Sequence, residues 1–116
     1  MQTHTRHVVA YVAGSLISGQ RSSAVFDRQE RRRFNISGTL SDSNISACAS
    51  GQDCHITGSL ASLYHCGNLG RLTLKLNSAQ FFGYDSESRQ HFSGNVNGNS
   101  VSIYDNETRR RYSYSI

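Results

Sequence analysis

Five side chains able to hold a soft metal ion crowd one stretch of this 116-residue chain: Cys48, Cys54, His55, His65 and Cys66. Zinc accepts thiolate and imidazole ligands in four-coordinate sites. The spacing argues against such a site. No two of these residues have the two-residue gap of a zinc knuckle. Cys54-His55 and His65-Cys66 are adjacent pairs, and neighbours along a strand point to opposite faces. Cys48, Cys54, His65 and Cys66 are therefore weak metal candidates, and no metal or cofactor is expected. Buried thiols are the plainer reading. In an oxidising compartment, a Cys48–Cys54 bridge across a turn at residues 50–53 is the alternative.

Nucleophilic catalysis has little to build on. There is no Gly-x-Ser-x-Gly elbow and no His-Glu-x-x-His. Cys66 beside His65 is sequence adjacency only. An enzyme would need His65 or His91 to meet Cys66 and an acid in one pocket. Gly67-Asn68-Leu69-Gly70 lacks the lysine of a phosphate loop. The expectation is a protein without catalytic activity of its own.

Two arginine runs are more informative. Arg31, Arg32 and Arg33 precede Phe34, and Arg109, Arg110 and Arg111 precede Tyr112. Arginine beside an aromatic ring can grip phosphate and stack on bases. These six arginines and Tyr112 are the candidate ligand-binding residues, with a polyanion (nucleic acid or acidic glycan) as partner. The plainer reading is a charged strand end that resists edge-to-edge pairing. The chain is basic, with a net charge of +4 and a pI near 9.3. The charge is spread over both halves, with no basic tail.

The elements that carry these residues follow a period. Ile17, Ile36, Ile56, Leu76, Val96 and Ile116 are spaced by 19, 20, 20, 20 and 20 residues. Each of the first five is followed by a small polar residue and then Gly or Ser, as in Ser18-Gly19, which reads as a turn, and Asn97-Gly98, which reads as a two-residue hairpin turn. The shorter first interval reads as a slip in a loop or a bulge. A second pattern recurs three times: aromatic-Asp, three residues, Arg, two residues, aromatic. It reads Phe26-Asp27, Arg31, Phe34; Tyr84-Asp85, Arg89, Phe92; and Tyr104-Asp105, Arg109, Tyr112. Aspartate starts turns because its carboxylate accepts from backbone N–H groups ahead of it. Arg four residues on can reach back across a tight loop. Asp27, Asp85, Asp105 and Arg89 are accordingly assigned to turns. A feature repeated in three units serves structure more readily than a single catalytic site.

A fixed period of this length marks a chain built from one supersecondary unit. Here it predicts a single all-β domain over residues 1–116, made of about five two-stranded units of twenty residues. The units form an antiparallel meander that closes into a barrel or folds into two layers. A β-solenoid with one coil per twenty residues satisfies the same period. The run His7-Val8-Val9-Ala10-Tyr11-Val12-Ala13 is apolar on both alternating faces and reads as a buried first strand rather than a signal peptide. No helix is expected. No apolar stretch approaches the roughly 18 residues of a transmembrane helix. The chain reads as a soluble binding or structural module, self-associating through exposed sheet edges or presenting its turns to a partner.

Overall fold

The computed structural model describes residues 1, 3–20, 23–41, 44–49, 54–59, 62–65 and 70–116. Among the described residues, ten strands follow one helix. They are β1 (Ala24–Asp27), β2 (Arg32–Leu40), β3 (Ile45–Ala49), β4 (Cys54–Ser59), β5 (Ser62–His65), β6 (Gly70–Asn77), β7 (Gln80–Asp85), β8 (Gln90–Asn97), β9 (Ser100–Asp105) and β10 (Arg110–Ser115). Each pairs antiparallel with the next, and β1 pairs with β10 to close the barrel. The meander and its closure hold; the solenoid does not, because sequence-adjacent strands are hydrogen-bonded neighbours.

The twenty-residue period now has a physical meaning. Two strands advance the chain by one hairpin, so every second strand repeats a position. Ile36, Ile56, Leu76 and Val96 lie on β2, β4, β6 and β8, and Ile116 directly follows β10. All five pack into the lumen or against its core. The three Leu of β6, at 72, 74 and 76, face inward while Thr73 and Lys75 are exposed, as period-two alternation requires.

The first unit departs from expectation. Residues 8–13 are helix, not strand: α1 spans Thr3–Ser18. Val8, Ala10 and Ala13 are 0% exposed and Val9, Tyr11 and Val12 at most 4%. A helix that is apolar all round has to be buried on every side, and this one lies inside the barrel, in contact with β1, β2, β3, β4, β8 and β9. An eight-stranded barrel is filled by its own side chains, and diameter grows with strand number. Ten strands leave a wider lumen, and α1 occupies it. At 1.5 Å per residue its sixteen residues reach about 24 Å, most of a molecule 29–31 Å across. Ser18-Gly19 is accordingly not a hairpin turn but the helix C-cap: Gly19 adopts φ 73° and its N–H donates to Ser15 O at 2.9 Å. The nineteen-residue first interval reflects this change of element, not a bulge in a strand.

Small residues make space for the helix. On the inward face Phe81 sits opposite Gly94 and Phe92 opposite Gly83, so each ring lies over a glycine of the neighbouring strand. Gly38 and Gly58, which the period aligns with turn glycines, lie inside β2 and β4 instead. At the far end the tight hairpins use Ser78-Ala79 and Gly98-Asn99, with Asn77 opposite Gln80 and Asn97 opposite Ser100. The two-residue turn thus begins at Gly98, one place after the Asn97-Gly98 signal suggests. Gly98 has φ 60° and its repeat counterpart Ser78 has φ 58°.

Two substitutions test this account. A side chain at positive φ costs about 1–2 kcal/mol that glycine does not incur, partly offset by glycine's greater freedom when unfolded. Ser78→Gly should therefore raise the thermal midpoint by a few degrees. Gly94→Ala should lower it by on the order of 10 °C, since the added Cβ would lie 2.0 Å from Ser102 O and 2.5 Å from Phe81 Cζ. Melting curves followed by circular dichroism check both.

Candidate functional site

The repeated aspartates end β1, β7 and β9 with their side chains buried, 1–3% exposed. Each opens a four-residue loop. Asp27 Oδ1 accepts from the N–H groups of Gln29 and Glu30 at 2.9 and 3.1 Å. Asp85 Oδ1 accepts from Glu87 N at 3.2 Å, and Asp105 Oδ1 from Glu107 N at 3.0 Å. The loops close through backbone: Arg109 N donates to Asp105 O at 2.8 Å. Arg31, Arg89 and Arg109 all take positive φ, 55–59°. The recurring arginine thus marks the left-handed corner of the loop.

The second oxygen of two of these carboxylates turns to the helix. Asp27 Oδ2 lies 2.7 Å from His7 Nε2, and Asp105 Oδ2 lies 3.1 Å from Arg6 Nη1. The terminal nitrogen of Met1 is 3.0 Å from the same Asp105 oxygen and also contacts Glu107. Aromatic rings of the barrel wall complete the clamp. His7 stacks on Phe34 at 4.1 Å and meets Tyr114 edge-on at 5.7 Å. The Arg6 guanidinium lies 3.8 Å above the Tyr112 ring, within cation–π range. Tyr112 donates its hydroxyl to Thr108 Oγ1 at 3.0 Å. Tyr112 is therefore engaged with the helix from within. Burial pushes the Tyr114 hydroxyl's pKa well above its usual 10. Burial would raise Asp27 too, but hydrogen bonds from His7, Glu30 and Gln29 outweigh it and hold its pKa below the ordinary value.

Above this clamp the arginines gather. β1 lies between β2 and β10, so the 31–33 and 109–111 triplets stand on one rim with a single strand between them. They are stepped, not level. Asp27 pairs with both Arg32 and Tyr114, and Arg110 lies four residues further along β10, about 13 Å at strand rise. The seam at this step is closed by a side chain. The Gln29 carboxamide donates to Ser113 O at 3.0 Å and accepts from Ser113 N, in place of a strand residue. Arg32 lies 5.5 Å from the Phe34 ring, Arg111 bonds Ser102 and Arg28 bonds Ser100 and Ser115.

Counting the rim loops and strand starts together, Arg28, Arg31, Arg32, Arg33, Arg71, Arg89, Arg109, Arg110 and Arg111 are all exposed at this end. Exposed acids among the same described residues are Glu30, Glu87 and Glu107. The described turns at the opposite end, Ser78-Ala79 and Gly98-Asn99, carry no charge. This one-ended distribution was invisible along the chain, where both halves have the same charge.

The cysteine and histidine candidates fare differently. Cys48 is half-buried on β3 and not in a disulfide. The β3–β4 register sets Cys48 opposite His55 and Cys54 opposite Ala49, whereas a cross-strand bridge would need the two cysteines directly opposed. Cys66 and the side chains of Cys54 and His65 lie outside the described residues. His91 is exposed on β8, its ring 4.9 Å from Tyr84. Among the described residues, ligand atoms of His7, Asp27 and Glu30 come within 4.8 Å of one another, a grouping that sequence spacing did not suggest. Asp27 is already committed there to the turn and to His7. No helix among the described residues is long and apolar enough to cross a membrane. Comparison with protein-family models, with curated proteins and with solved structures finds no match for this chain.

The clamp has a testable pH signature. A carboxyl held lower in the fold than in the unfolded chain stabilises above the unfolded value, about 3.9, and loses that contribution as pH falls through the folded value. Wild type should exceed an Asp27→Asn variant in urea midpoint at pH 5. The gap should narrow toward pH 2.5, as read from paired denaturation curves.

Proposed function

We propose that this protein is a non-catalytic binding module whose working surface is the arginine rim, and that its ligand is a polyanion. The gathering of nine exposed arginines at one end of the barrel carries this reading. Opposing charge there is smaller: Glu30, Glu87 and Glu107 are exposed, Glu107 against the Met1 terminus, while Asp27, Asp85 and Asp105 are buried, Asp27 bound to His7 and Asp105 to Arg6 and the Met1 terminus. A field of one sign over one face attracts and orients an oppositely charged polymer. Arginine's planar fork suits phosphate and sulfate oxygens.

Other roles have less support in the geometry. Many barrels carry a ligand in the lumen, but here α1 fills it. Self-association through sheet edges has less surface to use, since β1–β10 closure leaves only the short step at the seam without a strand partner. The buried pair His7 and Asp27 are bound to each other and 0–2% exposed. That position suits holding the helix and is poorly suited to meeting a substrate.

Neutralising phosphates releases counterions, so affinity for a polyanion should fall steeply with salt. Between 50 and 200 mM salt, wild type should lose well over tenfold in affinity for a single-stranded nucleic acid or a sulfated glycan. Replacing Arg109, Arg110 and Arg111 together with Ser should weaken binding and flatten the salt slope by about two to three. Equal binding by wild type and the triple variant, or binding indifferent to salt, would reduce the rim to solvated strand ends.

A further inference from the structure

The outer wall carries a cleft that none of the repeat features explains. It is formed across β6, β7 and β8 by two rows of outward side chains. Register sets Lys75 opposite Phe82 and Phe82 opposite Ser93. Two residues along, Thr73 faces Tyr84 and Tyr84 faces His91. Between the rows Gly83 of β7 faces inward, as period-two alternation requires, and strand backbone forms the floor. The resulting cleft measures about 420 Å³, in the range of sites that take small planar or cyclic groups.

Its walls are aromatic. Phe82 is 43% exposed, more than any other large apolar side chain described. Tyr84 and His91 form an edge-to-face pair with ring centroids 4.9 Å apart. Around them stand Lys75, Ser93 and Asn106, and no carboxylate lines the cleft. The upper end is the β9–β10 loop. Asn106 donates from both its backbone and side-chain nitrogens to His91 O, at 3.3 and 2.9 Å. The same four-residue loop carries Arg109 and leads into Arg110 and Arg111. One loop thus both borders the cleft through Asn106 and contributes Arg109 to the rim.

This combination discriminates between polyanions. A sulfated glycan presents charge and no flat π-face. A single-stranded nucleic acid presents a phosphate backbone with splayed bases, and basic grooves flanked by exposed rings are the surfaces that bind it. We infer that the polyanion is single-stranded nucleic acid, its phosphates on the rim and a base stacked on Phe82 in the β6–β8 cleft. This rests on the polyanion reading of the rim, and names its ligand. Stacking on Phe82 itself gives little dependence on base identity, because every base has a π-face.

The test uses the full chain with a fluorescein-labelled oligo-dT and a size-matched sulfated glycosaminoglycan fragment, each titrated by anisotropy at two salt concentrations. Variants are Phe82→Ala, Phe82→Leu, Phe82→Tyr and the Ser triple at 109–111. Phe82 is exposed and outward, so thermal midpoints should match wild type. Removing one stacked base contact should weaken oligo-dT about five- to a hundredfold, with the salt slope unchanged and glycan binding untouched. Phe82→Leu should fall with Phe82→Ala, and Phe82→Tyr should restore binding. The Ser triple should weaken both ligands. If Phe82→Ala leaves oligo-dT affinity unchanged, or weakens both ligands alike, the stacking cleft is refuted while the rim survives. If wild type binds neither ligand, the rim reading falls, and this one with it.

Discussion

The buried helix sets the terms for the rest of the structure. A ten-stranded wall encloses more volume than its inward side chains fill, and an unfilled lumen would forfeit contacts on every surrounding residue. Helix α1 supplies that volume with Val8, Val9, Ala10, Val12 and Ala13, all buried. Its small and medium side chains let the backbone approach the wall. The wall responds with glycines beneath Phe81 and Phe92. Removing the helix would leave neither a packed core nor a reason for the barrel to keep ten strands.

Burying a helix also buries its polar head. Arg6 and His7 are 6% and 0% exposed, and charges or imidazole nitrogens in such places need partners. The partners come from the hairpin repeat. One carboxylate oxygen of Asp27 and of Asp105 initiates a loop, and the other reaches the helix. Wall aromatics Phe34 and Tyr112 cover the flat faces of His7 and Arg6, and Tyr114 meets His7 edge to face. A motif that recurs to make hairpins is thus reused, in the two units adjoining the seam, to fix the helix in the lumen. Asp85 keeps to its loop, accepting from Glu87 and Ser88.

This division of labour separates inside from outside. Inward-facing repeat positions are consumed by packing and by the clamp. Outward and rim positions, the arginines and the ring of Phe82, remain available for a partner. Charge collects at one end because all three described Asp-started loops turn at the same end of the barrel. Meander topology guarantees this: odd strands run one way, so every odd-to-even turn falls on one rim.

Much of the sheet was legible in the chain. The aliphatic positions at twenty-residue intervals determined a two-strand repeat, and the Asp loops and the alternation of Leu72, Leu74 and Leu76 located hairpins and faces. Period alone did not separate barrel from solenoid; the β1–β10 pairing decided that, because closure is a contact between chain ends that no local pattern records. The helix was not legible. Residues 8–13 are apolar without interruption, and a short run of this kind looks the same in a doubly buried strand and in an all-round buried helix. Its surroundings decide which it becomes, and these surroundings are a lumen lined by residues up to a hundred positions away. The candidate surface followed the same rule. The arginine triplets were visible in the chain, and a closed meander would place both on one rim; the closure itself decided that and the step at the seam, while the cleft beside Phe82 comes from pairing β6, β7 and β8, which turns alternate side chains outward.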